Sequence, residues 1–436
     1  KTSDDQPVVT YDYDLAGNLI EIKVTGADNQ ITEYVYNGFG EVIYEDSPAT
    51  GTKTIYRDEA GNIVREINSD SQEVERKYDE LNRLKRVIYR ESASENVDYE
   101  YDGVGVNGIG RLTSVTDESG SKNFEYDDQG YLERVNYSIV GESYAIDYDF
   151  DKAGKLIQVV YPSGRSITYG YDSQGRPNHI DAGSKGTLVN EVDYYPFGQF
   201  KEIEYGSGLR REIKLDDTYR PAHLTHHWLS QSEKIVYDFD TADRIRAQSR
   251  SLEFGATARM LEAKSFEYDH ADRLEKSEWR KINGVSQTDE FIHYDYDDFG
   301  NRITKQQKSA LNGINRHWSY GVNSTNNQIT SQSVAQDGSS FELTHEYAYK
   351  PTGQTSSDGE LSWTYNHAQR MASVTNSENL TTEYLYNAAG QRVEKKSGSE
   401  ITHFHYDLGG QLIAETDSSG SIIREYFYLG SMPVAM

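Results

Sequence analysis

The sequence contains no cysteine, which excludes a disulfide framework and thiolate catalysis. It has only 44 Lys and Arg against 71 Asp and Glu, so the formal net charge is −27. Because so acidic a surface repels phosphate backbones and anionic lipid, neither nucleic acid nor a membrane is expected as a partner. Uninterrupted apolar runs of roughly 18 residues, the length of a membrane-spanning helix, are also missing.

Hydrophobic residues make up only 36% of the chain, which is little for a thick core across this length. A thin sheet with one apolar face fits this composition better. Intrinsic disorder is the competing explanation of low hydropathy and high charge. A regular aromatic pattern along the chain argues against disorder.

One motif recurs along the whole chain, an aromatic residue followed by Asp-x-x-Gly. About eighteen copies occur, or roughly 24 residues per unit, which is typical of a repeat array. Asp or Asn caps its own turn through the side-chain oxygen, and Gly three residues later adopts a left-handed conformation without strain. The motif therefore predicts a three-residue hairpin with a bulge. The turn residues predicted in this way are Asp14, Gly17, Asn37, Gly40, Asp79, Asn82, Asn107, Gly110, Asp127, Gly130, Asp151, Gly154, Asp172, Gly175, Asp297, Gly300, Asn387, Gly390, Asp407 and Gly410.

Substitutions within the motif indicate a backbone role and not a catalytic one. Where Gly is missing, the types best able to be left-handed usually replace it, namely Asn82, Asp243, Asp272 and Asn327. Only Tyr219 and Gln369 break this rule. No catalytic residue is predicted.

The turn geometry also predicts which residues face each other. The residue before the Asp pairs with the residue six positions later, which places aromatic against aliphatic side chains. The predicted pairs are Tyr13 with Leu19, Tyr78 with Leu84, and Tyr268 with Leu274. Asp79 faces Arg83 on the opposite face of the sheet.

These features predict an all-β fold in which tandem hairpins form one long, curled or spiralling antiparallel sheet. Residues 1–436 are expected to form a single continuous array with about 36 strands, which must curl because long open sheets rarely stay flat. A propeller is the structural alternative. The stretch Leu252–Leu261 is the least strand-like and is expected to be a longer loop or a short helix.

The Tyr-Asp-x-x-Gly-Arg-Leu pattern resembles the YD repeat of Rhs proteins, of the B and C components of insecticidal toxin complexes, and of teneurins. The segments 101–112, 195–199 and 426–435 resemble motifs of bacterial members. The resemblance implies a hollow β-shell that encloses a C-terminal toxin. The family's Asp-Pro cleavage motif and a toxin segment are not found before Met436, so self-cleavage and toxicity are not assigned to these residues. Because the chain starts at Lys1 without Met, it is expected to be a piece of a longer polypeptide.

Two alternatives to purely structural roles were weighed at particular residues. Asp12, Asp14 and Gly17 superficially resemble a calcium loop, but the bidentate Glu at its twelfth position is replaced by Lys23. The groups His223, His226, His227 and His403, His405 are either ordinary strand histidines or metal ligands. The prediction is therefore no metal site and no cofactor.

The sequence predicts a structural shell module that encapsulates and shields a polypeptide cargo, namely a C-terminal toxin. This module is expected to act by steric exclusion and not as an enzyme. Its partners are the encapsulated polypeptide or the remaining parts of the parent protein, with a cell-surface glycan or protein as a further possibility. A secreted or cell-surface location in a bacterium is expected. The alternative function is a carbohydrate- or cell-surface-binding module that uses exposed tyrosines.

Overall fold

The computed structural model describes residues 8–25, 30–255, 257–283, 286–309 and 312–436. Nearly all regular structure in these ranges is β-strand, because the Tyr-, Val- and Ile-rich segments alternate with turn residues that cannot continue a strand. The two exceptions are short 3-10 turns, Ala93–Glu95 and Gly183–Lys185. In the part of the chain that is described, no helix has the length and apolar character to cross a membrane.

The forty strands follow one another with short connections. The first half comprises β1 Val8–Tyr13, β2 Leu19–Thr25, β3 Gln30–Tyr36, β4 Val42–Ser47, β5 Gly51–Arg57, β6 Ile63–Asn68, β7 Glu73–Tyr78, β8 Leu84–Tyr89, β9 Val97–Tyr101, β10 Leu112–Asp117, β11 Gly120–Tyr126, β12 Leu132–Ile139, β13 Glu142–Phe150, β14 Leu156–Val160, β15 Ser166–Tyr171, β16 Pro177–Asp181, β17 Thr187–Tyr194, β18 Phe200–Tyr205, β19 Arg210–Leu215 and β20 Pro221–Trp228. The second half comprises β21 Gln231–Phe239, β22 Ile245–Phe254, β23 Thr257–Tyr268, β24 Leu274–Asn283, β25 Ser286–Tyr296, β26 Arg302–Ser309, β27 Ile314–Val322, β28 Ile329–Gln336, β29 Glu342–Glu346, β30 Ala348–Tyr349, β31 Thr355–Ser357, β32 Leu361–Tyr365, β33 Met371–Asn376, β34 Thr381–Tyr386, β35 Arg392–Ser397, β36 Glu400–Tyr406, β37 Leu412–Asp417, β38 Ile422–Glu425, β39 Phe427–Leu429 and β40 Met432–Ala435.

Among the described residues, the strands are grouped into sheets of 29, nine and two members, and neighbours in sequence within a sheet pair antiparallel. The register slips by one residue just before many turns, as between Asp12 and Tyr13. This slip is the bulge that a type I turn followed by a left-handed residue requires. The expected all-β fold with a long antiparallel sheet is confirmed.

The described residues fall into two compact units. Unit 1 contains Lys1–Gly164, Gly321–Ser331 and His345–Tyr426, and unit 2 contains Arg165–Tyr320, Gln332–Thr344 and Phe427–Met436. Each unit thus combines strands that are distant in sequence. The single continuous array over residues 1–436 stays a prediction.

The prediction of a longer loop or a short helix at Leu252–Leu261 is wrong. This stretch forms the tip of a hairpin, because β22 runs to Phe254 and β23 starts at Thr257. Gly255 adopts a φ of +59° at the tip. The long strands on either side lack the Tyr-Asp motif here, so the sequence pattern gave no strand signal.

Candidate functional site

The capping geometry of the turns is uniform. In the first hairpin, Asp14 Oδ1 accepts hydrogen bonds from the amides of Ala16 and Asn18, both at 2.9 Å. The Gly17 amide donates to the Asp14 carbonyl at 3.1 Å, and Gly17 has a φ of +87°. The same side-chain and backbone pattern recurs at Asp172 and Asp297. The turn side chains are thus occupied with their own backbone.

The fourth residue of the turn is left-handed even where its type does not favour that conformation. Tyr219 and Gln369, which break the sequence rule, adopt φ values of 65° and 62°. Asn82 and Asp272 have nearly the same values, 61° and 63°. The hairpin framework therefore imposes this conformation even on side chains for which it is costly.

Asn107 was predicted to cap the expanded turn before Gly110, and this prediction is wrong. Asp102 Oδ1 accepts the Gly110 amide at 2.6 Å, and the Asp102 amide donates to the Arg111 carbonyl. Asn107 is itself left-handed, with a φ of 50°, and its side-chain amide donates to the Tyr126 carbonyl at 2.9 Å. The inserted residues of this loop move the capping role to the Asp that directly follows Tyr101.

The aromatic residue of each repeat lies opposite the residue after the turn. Tyr13 pairs with Leu19, Tyr78 with Leu84, and Tyr268 with Leu274. The tyrosine also makes a contact that its sequence position did not reveal. Its hydroxyl donates to the carbonyl of the post-turn residue in the preceding hairpin.

Tyr36 shows this contact clearly, since its hydroxyl donates to the Leu19 carbonyl at 2.7 Å. Tyr126 and Tyr296 make the equivalent bonds to Leu112 and Leu274 at 2.7 and 2.8 Å. The described tyrosines with this bond include Tyr36, Tyr78, Tyr101, Tyr126, Tyr194, Tyr268, Tyr296, Tyr349, Tyr365 and Tyr406. Tyr is used because its ring packs on the sheet while its tip joins one hairpin to the next.

Arginines after the turn make a second junction between repeats. Arg83 Nε donates to Asp79 Oδ2 at 2.7 Å, and its outer nitrogen contacts Asp102 at 2.6 Å. The same guanidinium lies 4.4 Å from the ring centroid of Tyr101. The backbone amide and the guanidinium of Arg83 hold the pKa of Asp79 below its ordinary value. One Arg thus connects its own turn to the aromatic ring and the turn of the next repeat.

The junction at Arg273 follows the same plan. Arg273 bonds Asp269 at 2.7 Å and lies 4.7 Å from the Tyr296 centroid. Its second nitrogen donates to the Asp297 carbonyl at 3.0 Å. These contacts join consecutive hairpins through their side chains.

Within unit 1, late strands pack against early strands along a surface that we call the seam, between residues 30–163 and 324–426. Its hydrogen bonds join residues 259 to 297 positions apart. Gln30 Nε2 donates a hydrogen bond to Asn327 Oδ1 at 2.9 Å. The carboxylate of Glu95 accepts hydrogen bonds from the backbone amide and from the imidazole Nδ1 of His367, at 2.8 and 2.7 Å. The nearly constant separation shows that the two segments run past each other in register.

The seam has a buried polar centre built on β12, β13, β36 and β37. Tyr137 OH lies 2.8 Å from His405 Nδ1, and Thr416 Oγ1 lies 3.0 Å from His405 Nε2. Tyr144 OH contacts His403 Nδ1 at 3.0 Å. Burial, with smaller contributions from His403 and Lys122, lowers the pKa of His405 to about 3, so its ring is neutral and hydrogen-bonded on both nitrogens.

Neither predicted histidine group forms a metal centre in the residues that the structure describes, where no cluster of three metal-ligating side chains is present. His226 contacts Glu233 Oε2 at 3.3 Å, and His227 lies 3.5 Å from Glu212. His403 and His405 serve packing between distant strands.

Comparison with known proteins identifies the class of fold. Residues 150–185 match the family model for the RHS repeat. This segment therefore matches an RHS repeat, and the predicted resemblance to Rhs-type YD-repeat proteins is confirmed.

The structure matches the crystal structure of TcdB2-TccC3-TEV with a TM-score of 0.73 and 15% identity, over 98% of this chain and 28% of that chain. It matches the Photorhabdus luminescens Tc holotoxin pore with the same TM-score and 14% identity, over 98% and 27%. These likenesses show a shared fold.

Two curated relatives are also similar. Double-stranded DNA deaminase toxin A of Burkholderia cenocepacia is 20% identical over 519 residues, covering 95% of this chain and 36% of the relative. The tRNA nuclease WapA of Bacillus subtilis is 26% identical over 140 residues, covering 31% of this chain and 5% of the relative. The chain thus spans only a small part of the relatives that it matches.

Proposed function

We propose that this chain is a wall segment of an Rhs-type shell that surrounds a polypeptide cargo, in particular a C-terminal toxin. The observation that carries the proposal is the shared fold with TcdB2-TccC3 over 98% of the chain. Similarity to a deaminase toxin and a tRNA nuclease supports a toxin as the cargo. The cargo itself is proposed to lie in the parent polypeptide.

The mechanism is steric. A protease or a host protein reaches a polypeptide only if the wall has gaps, and the junctions between repeats leave few weak points. Tyrosine hydroxyls and arginines tie each hairpin to its neighbour, as at Tyr36 and Arg83. The seam adds contacts between strands that are distant in sequence, such as Glu95 with His367.

The proposal includes no chemical step, no cofactor and no catalytic residue. The capping carboxylates are occupied by backbone amides, and His405 is neutral and buried between Tyr137 and Thr416. We further propose one continuous repeat array over residues 1–436. We also propose a secreted or cell-surface location in a bacterium, which the similarity to a bacterial toxin supports.

Protease protection of the parent polypeptide tests this function. The natural reading frame that contains this chain is expressed, and the purified protein is treated with a non-specific protease. Mass spectrometry should recover a resistant cargo segment together with the array. As a control, the same digestion in urea should degrade both.

Rapid loss of every segment outside an intact array would overturn the proposal. A reading frame with no cargo segment would do the same.

Binding of carbohydrate through the tyrosines stays an alternative prediction. Ten repeat tyrosines donate their hydroxyl groups within the protein, as Tyr126 does to Leu112. Rings fixed in this way are less available for a sugar. A glycan array probed with the purified chain distinguishes the alternative, since shell function predicts no specific binding.

A further inference from the structure

A cavity of about 280 Å³ lies inside unit 1, at the seam. Early strands β10 to β13 form one side, and β35, β36 and two late turns form the other. Its walls are mainly apolar and include Val115, Phe124, Val135, Ile146, Val393 and Phe404. An apolar cavity of about 150 Å³ is enough to hold benzene, so this one has room for an aromatic ring with a short substituent.

Most polar groups at the cavity have partners within the protein. Tyr137 OH contacts His405 Nδ1 at 2.8 Å. Asp117 accepts the Ala388 amide at 2.6 Å, and its other oxygen accepts the amide of Ser119 at 2.8 Å. These groups shape the cavity but have little capacity left for a ligand.

Lys122 brings a cationic side chain to the cavity. Its ammonium lies 5.9 Å from the Tyr137 ring centroid, and it forms no hydrogen bond or ion pair with the residues that the structure describes. Burial lowers its pKa, and the charge of Asp117 offsets this effect only in part. A partly buried cation whose charge is offset only in part is stabilised by an anion.

Two carboxylates also line the cavity and affect its choice of ligand. Asp117 accepts hydrogen bonds from the backbone amides of Ala388 and Ser119. Asp407 accepts the Gln411 amide at 2.8 Å, and burial raises its pKa. A negatively charged group of a ligand is therefore stabilised most strongly beside the ammonium of Lys122.

We propose that this cavity binds a small aromatic carboxylate, with its ring between the apolar walls and its carboxylate on Lys122 Nζ. Such a ligand matches the volume, the apolar lining and the unpaired cation. Because the cavity has walls from both early and late strands, the bound ligand also stabilises the seam. The inference is independent of the cargo that the shell is proposed to enclose.

Titration calorimetry at pH 7 with 3-phenylpropionate tests the proposal, with 3-phenylpropan-1-ol as the neutral comparison. The carboxylate is expected to bind at least tenfold more tightly than the alcohol. Lys122→Met keeps the length and apolar stem of the side chain and should abolish this difference. Lys85→Met, a change at an exposed lysine of β8 in the same unit, should leave it unchanged.

Thermal unfolding gives a second readout that does not depend on heat of binding. The carboxylate should raise the unfolding temperature of the wild type and of Lys85→Met, but not of Lys122→Met. Equal binding of alcohol and carboxylate, equal behaviour of the two lysine variants, or no binding of either molecule would each overturn the proposal.

Discussion

The seam of unit 1 and the long hairpins β22 to β26 of unit 2 use the same repeat rules but bury very different amounts of side chain. At the seam, Ile139 and Ile413 are only 2% and 1% exposed. Among the described side chains between 210 and 320, no hydrophobic one is buried. Turns and strand pairing are therefore local properties of a hairpin, whereas burial requires a second layer of strands.

The largest expected contrast is a cavity-forming change. Ile139→Ala at the seam should lower the free energy of unfolding by about 2–5 kcal/mol, because a fully buried side chain leaves a void. Ile245→Ala in β22, where the side chain is only partly buried, should cost about 1 kcal/mol. Urea unfolding measures both, and equal losses would contradict the contrast.

Acid should weaken the seam through His405. The pKa of His405 is about 3 in the folded protein and 6.5 as its ordinary value. The unfolded chain therefore takes up this proton first, so stability is complete above pH 6.5 and is lost as the pH falls toward 3. The expected loss between pH 6.5 and pH 4 is about 3 kcal/mol.

Unfolding of the wild type and of His405→Gln across this pH range measures the effect. The variant keeps hydrogen-bonding capacity but cannot titrate, so its stability should depend less on pH. Identical pH dependence in the two proteins would assign the acid sensitivity to other groups.

Alanine at a left-handed glycine separates local strain from contact at the seam. At Gly300 in unit 2, a new Cβ has only Arg273 nearby, at 3.8 Å, so Gly300→Ala should cost the strain alone, about 1–2 kcal/mol. At Gly353 in unit 1, the Cβ would lie 2.6 Å from the Ala49 carbonyl oxygen. Gly353→Ala should therefore lower the free energy of unfolding more than Gly300→Ala does, as measured by urea unfolding. A smaller loss at Gly353 would show that the backbone at the seam shifts to accommodate the new Cβ.

The smallest effect should be the same in both regions. Tyr126→Phe and Tyr296→Phe each remove one hydroxyl-to-carbonyl bond between hairpins. Each change should cost about 1 kcal/mol. Hydrogen exchange of the strand on either side locates the loss, and a clearly unequal pair would mean that this junction depends on burial.

The local parts of the structure were predictable because their causes lie within about six residues. The bulged register that sets Tyr13 opposite Leu19 follows from the Asp-x-x-Gly turn. Left-handed Tyr219 was not predictable, because its side chain gives no signal for that conformation. The capping role of Asp102 depends on the length of an inserted loop.

The seam was not predictable from the sequence. Its contacts, such as Tyr137 with His405, depend on how two segments about 260–300 residues apart align. Small errors in the curvature of each hairpin accumulate over that distance, so the partner of a given strand cannot be read from turn chemistry. The cavity beside Lys122 exists only because of this alignment.

Contact between early and late strands underlies the buried core of unit 1, the cavity and the proposed enclosure. The absence of cysteine from the sequence allows a direct test, in which Glu95→Cys and His367→Cys are combined and treated with a short bismaleimide. The structure predicts an intramolecular cross-link in most folded molecules, independent of protein concentration and absent in urea. A folded protein that forms no such cross-link would contradict the seam.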